Sequence, residues 1–103
     1  MPEYNKLVRD KLIDIITEKG ERAIYHTAED PEFKEKLREK LREEVEEFLE
    51  AESMEEMADI LEVLHTWHML LNWTREDVEA VQKAKRDERG GFAGRTILER
   101  TDI

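Results

Sequence analysis

The sequence predicts an all-α domain of about four helices, built around an antiparallel helical hairpin. Three observations predict it: apolar residues recur at helical spacing in four stretches, helix-start signals precede three of them, and only "AES" separates the two longest. Charged residues make up 43% of the chain and hydrophobic ones 39%, so the apolar positions must be gathered into stripes for a core to form.

Residues 6–19, "KLVRDKLIDIITEK", place Leu7, Val8, Leu12, Ile15 and Ile16 on one helical face, with Gly20 as the terminating residue. The stretch that follows, "ERAIYHTAED", reads as a loop containing a short strand. Asp30, Pro31 and Glu32 then supply an N-cap, a first-turn proline and an acid at the positive helix end, so a second helix is expected from there to about residue 51. Its stripe is Phe33, Leu37, Leu41, Val45 and Phe48. Ser53 and Glu56 read as a capping box opening a third helix, whose stripe is Met57, Ile60, Leu61, Leu64, Trp67, His68 and Leu71. Thr74 with Asp77 opens a fourth through about Arg89, with Val78, Val81 and Ala84 inward. Gly90 and Gly91 break that helix, and "RTILE" has the β-branched character of a strand, so a two-stranded addition from residues near 22–26 and 95–99 is expected.

At 103 residues the chain fits a single domain spanning 1–103, with a modest core that a partner subunit would complete, and a homodimer or higher homo-oligomer is expected. The net charge of −10 argues against a duplex nucleic-acid partner, whose phosphates require a basic face. Absence of cysteine removes disulfides, thiolate nucleophiles and sulfur-ligated zinc, and makes a cytoplasmic location the expectation. No run of eighteen apolar residues occurs, so no membrane partner is expected.

The acids divide by position on the helices. Glu43, Glu46 and Glu50 fall opposite the second helix's stripe, whereas Glu44 and Glu47 border it. On the third helix Glu56 and Asp59 border their stripe in the same rotational sense, while Glu55 and Glu62 point outward. An antiparallel hairpin therefore sets Glu44 across from Asp59 and Glu47 across from Glu56. Four carboxylates so gathered repel one another unless a hard divalent cation joins them; Mg²⁺ is the natural candidate, with Mn²⁺ the alternative. In a chain this acidic the same pattern also arises as a solvated helix surface, with Glu56 serving only as a cap.

"EEVEE" at 43–47 followed by "EMAD" at 56–59 resembles the E-E-x-x-E and E-x-x-D pattern of the all-α, MazG-like nucleoside triphosphate pyrophosphohydrolases. With "YNKLVRDKL" and "KRDERGGFAGR", the resemblance reaches a small subgroup labelled phosphoribosyl-ATP pyrophosphohydrolase-like and spans nearly the whole chain. It implies Glu44, Glu47, Glu56 and Asp59 as magnesium ligands, with Glu44 or Glu47 orienting the attacking water and Glu43 in a supporting role. The implied reaction cleaves the α–β phosphate anhydride of a nucleoside triphosphate, releasing a nucleoside monophosphate and pyrophosphate in nucleotide-pool house-cleaning. The segment between Glu47 and Glu56 is shorter than in typical members, which bears on the size of any nucleotide pocket.

Lys83, Arg86 and Arg89, at three-residue spacing beside the two glycines, resemble the family's phosphate-contacting basic motif; helix-dipole complementation is the competing role. Lys6 and Arg9, within the N-terminal signature, are further phosphate-binding candidates, and Phe92 is a candidate for stacking on a base. His65 and His68 are read as structural, and Trp67 and Trp73 as core or subunit-interface residues. Two rival functions stand beside the main one: phosphoribosyl-ATP hydrolysis in histidine biosynthesis, and a non-catalytic helical interaction module.

Overall fold

The computed structural model describes residues 3–103, which form four helices and no strand: α1 (Leu12–Glu18), α2 (Asp30–Ala51), α3 (Met54–Leu70) and α4 (Arg75–Arg89). The start and stop signals hold to within a residue for α2, α3 and α4. Glu29, in extended conformation, caps α2 one residue earlier than expected, and Pro31 lies in the first turn. Glu52 ends α2 in the left-handed region, φ 49°, and donates its N–H to the Phe48 carbonyl at 2.7 Å. Ser53 then accepts from the Glu56 N–H at 3.2 Å to begin α3. Two residues thus reverse the chain, at the cost of left-handed backbone on a non-glycine. At α4 the capping box is complete, Thr74 and Asp77 each bonding the other's backbone. Those bonds hold the Asp77 carboxyl below its ordinary value.

The α2/α3 hairpin is the framework, and these two helices pack along each other. Leu37 is fully buried and Val63 nearly so, with Phe33, Leu41, Val45 and Phe48 of α2 and Ile60, Trp67 and Leu70 of α3 half-buried around them. The Arg38 guanidinium stands 5.9 Å from the Trp67 ring centroid, extending the packing with a cation–π contact.

Four expectations are corrected. Helix one is seven residues rather than fourteen: residues 6–9 are not helical, and Lys6 and Arg9 reach Glu43 and Asp59 of the hairpin instead. Helix three is turned roughly 90° from its expected orientation, so that Ile60, Val63 and Trp67 face α2. Met57, Leu61 and Leu64 are left half-exposed or more on a second face. Helix four does not bury Val78, Val81 and Ala84, all of which are exposed. The two-stranded addition is absent among the described residues: Ile24, Tyr25, Ile97 and Leu98 are exposed in irregular chain. A lone two-stranded ribbon without a sheet or helix against its apolar face has too little burial to persist.

The molecule measures 65 × 31 × 25 Å with a radius of gyration of 18.6 Å, against about 13 Å for a compact chain of this length. Its accessible surface is 9942 Å² at 12.3 kDa, where a compact monomer of that mass exposes about 6,100 Å². No described helix is long and apolar enough to cross a membrane.

Candidate metal centre

The rotation of α3 brings its acids inward. Glu56 and Asp59 are half-buried and face α2, where Glu44, one turn beyond Lys40, is almost wholly buried at 4% exposure. One carboxylate oxygen from each of Glu44, Glu56 and Asp59 lies within 4.8 Å of the others, and Glu43, Glu44 and Glu47 form a second such group. The two groups share Glu44. Three of the four expected ligands therefore converge. Glu47 instead lies beside Glu44 and Glu43 on the exposed side, and no cluster among the described residues pairs it with Glu56.

The electrostatics of the cluster are unbalanced. Burial pushes the Glu44 carboxyl above its ordinary value; a bond from Lys40 pulls it back, and the charges of Glu47 and Asp59 raise it again. Lys40 Nζ stands 3.1 Å from Glu44 Oε1, leaving Glu44 Oε2 buried with no hydrogen-bond partner, as is Glu56 Oε2. Two orphaned, water-excluded carboxylate oxygens within one cluster are costly in a protein interior unless a cation takes them. Glu56 is also not consumed by capping: Ser53 bonds its backbone, but its carboxylate oxygen stays free. Around the cluster five carboxylates, Glu43, Glu44, Glu47, Glu56 and Asp59, meet three cations, Lys6, Arg9 and Lys40, so the acids are in excess. An all-oxygen donor set of this kind fits Mg²⁺ or Mn²⁺.

Lys6 and Arg9 reach the cluster, Lys6 Nζ at 3.5 Å from Glu43 Oε1 and Arg9 Nη2 at 2.6 Å from Asp59 Oδ1. Lys83, Arg86 and Arg89 do not: they lie exposed on α4, and Lys83 pairs with Asp87 at 2.7 Å. Phe92 is fully exposed beside the glycines. His65 and His68 bond each other at 3.1 Å, and His68 Nδ1 donates to the Trp73 carbonyl at 2.8 Å, so the pair closes the turn after α3. Lys40 is the site residue that the sequence reading passed over, although its position four residues before Glu44 is the spacing at which helical side chains meet. Glu43 belongs to the cluster more fully than its place opposite the apolar stripe suggested, since Lys6 and Lys40 both approach it.

No family model, curated protein or solved structure matches this chain, so the reading of the site rests on its own residues.

Proposed function

We propose that the chain is a Mg²⁺-dependent nucleoside triphosphate pyrophosphohydrolase, cleaving the α–β phosphate anhydride to a nucleoside monophosphate and pyrophosphate. The observation that carries the metal is the pair of buried, unpartnered oxygens of Glu44 and Glu56 within a three-carboxylate cluster. The choice of reaction rests on the motif resemblance.

In this reading Glu44, Glu56 and Asp59 hold the cation. When bound it lowers the pKa of a coordinated water and offsets charge on the phosphate oxygens. Glu47 is exposed beside Glu44 and is the better placed of the two water-orienting candidates, because Glu44 is enclosed and engaged by Lys40. Lys6 and Arg9, already at the cluster, are the first phosphate contacts. Lys83, Arg86, Arg89 and Phe92, exposed and away from the cluster, are assigned to phosphate and base only by the motif resemblance.

A homo-oligomer is part of the proposal. The exposed surface exceeds that of a compact monomer by about 3,800 Å², several times the roughly 800 Å² per partner of a standard interface. The second face of α3, with Met57, Leu61 and Leu64, and Val78 and Val81 of α4 offer apolar area to cover. Sedimentation velocity is expected to give at least twice 12.3 kDa, and Leu61→Glu to shift the protein to monomer; a wild-type monomer at high concentration refutes this.

The test of function is pyrophosphate release from standard and modified nucleoside triphosphates, with Mg²⁺ and with EDTA, for wild type and Glu47→Gln. Metal-dependent release that falls about 100-fold or more in the folded variant is the expected result. Release from phosphoribosyl-ATP alone would favour the histidine-biosynthetic reaction. No release and no Mg²⁺ binding would favour the interaction module.

A further inference from the structure

Residues 5–11 run along the hairpin instead of forming the opening turns of α1, and three contacts hold them there. Lys36 Nζ donates to the Asn5 carbonyl at 2.7 Å, Lys6 reaches Glu43 and Arg9 reaches Asp59. The two cations of this segment are divided between the two carboxylate groups: Lys6 is on the group of Glu43, Glu44 and Glu47, and Arg9 on the group of Glu44, Glu56 and Asp59. The third cation, Lys40, belongs to α2 itself and is fixed by helical spacing.

We propose that residues 5–11 form a counter-cation strap, in which Lys6 and Arg9 offset part of the charge of the carboxylate cluster in the metal-free protein and leave it when a divalent cation binds. The proposal rests on the metal-site reading above and adds a regulation of that site. Arg9 and a metal compete for one oxygen. A guanidinium nitrogen 2.6 Å from Asp59 Oδ1 occupies the region where an octahedral ion would approach at about 2.1 Å, so both cannot be accommodated unmoved. The contact is weak enough to yield, because the Arg9 and Asp59 side chains are 65% and 36% exposed and water screens the pair. The strap therefore tunes metal affinity rather than blocking the site. Its release frees a planar, five-donor cation beside the metal, available to an anionic phosphate group.

Linkage makes the proposal quantitative: whatever factor the strap takes from metal affinity, metal takes from strap closure. The experiment combines Mg²⁺ titration by calorimetry with backbone ¹⁵N order parameters of residues 5–11 by NMR, for wild type, Arg9→Gln, Lys11→Gln and Asp59→Asn. Lys11→Gln removes the same charge from the same segment at a residue with no ion pair among those described, and so controls for long-range electrostatics. Expected are Mg²⁺ binding about two- to fivefold tighter in Arg9→Gln than in Lys11→Gln, lower order parameters for residues 5–11 on adding Mg²⁺ to wild type, and similarly low ones in metal-free Asp59→Asn. Mg²⁺ binding that is equal in the two charge variants, or a segment whose order parameters are unchanged with metal bound, overturns the strap alone. Absence of Mg²⁺ binding in wild type and Arg9→Gln alike overturns the metal-site reading and the strap with it.

Discussion

Glu44→Gln is expected to abolish metal-dependent pyrophosphate release while making the metal-free protein more stable. The first effect follows from removing a ligand shared by both carboxylate groups; a loss of about 100-fold or more is expected, since even supporting residues of metal sites cost 10- to 100-fold. The second follows from burial. Folding raises the Glu44 carboxyl above its ordinary 4.5, so the folded state holds the proton more tightly than the unfolded chain does. The penalty for ionised Glu44 is therefore absent below the unfolded value and grows as pH rises through the folded one. At neutral pH the variant escapes it, so its Tm is expected above that of wild type. The difference should shrink as the pH falls toward 4.5, where wild type is also protonated. Saturating Mg²⁺ should reverse the order, stabilising wild type by about 2.7 kcal/mol at a hundredfold excess over Kd and leaving the variant unmoved. A metal-free variant less stable than wild type at pH 7, or one that keeps the Mg²⁺ response, refutes the assignment.

Leu37→Ala should be the most damaging single truncation of the fold. Among the described residues Leu37 is the one large side chain with no exposure, and it sits where α2 meets α3. Truncating a buried leucine costs about 2–5 kcal/mol through lost transfer energy and a residual cavity. With so little other buried apolar surface to collapse into the gap, a Tm loss of at least about 10 °C is expected. Leu49, on the same helix but 68% exposed, is the control. If thermal melts show Leu37→Ala and Leu49→Ala to be equivalent, the hairpin packing described above is wrong.

Local chemistry explains which parts of this structure were legible beforehand. Pro31, Ser53 and Thr74 act on their own turn of chain, so they mark helix ends whatever the rest of the molecule does. The acid positions were legible for a related reason. A tight turn at Glu52 and Ser53 forces antiparallel helices, and the 3.6-residue period then puts Glu44, Glu56 and Asp59 on the same side of the pair, bordering its apolar seam. Two of the misreadings, those of α3 and of residues 6–9, are cases of competition between partners. Helix three carries apolar residues around more than half its circumference, so periodicity alone averaged two faces into one; Val63 was omitted from the stripe though it is the best-buried residue of α3. Residues 6–9 have helical spacing, but ion pairs with Glu43 and Asp59, distant in sequence, compete with their helix.

The sequence by itself determined the helix count, the caps, the antiparallel hairpin and the identity of most of the clustered acids, because each depends on residues within a few turns of one another. Only the tertiary structure decided the rotation of α3, the burial of Glu44, the exclusion of Glu47 from the Glu56 and Asp59 group, and the path of residues 5–11. Those features depend on which surfaces win when more apolar and charged groups are present than one chain can pair, and that outcome is set by packing across the whole molecule.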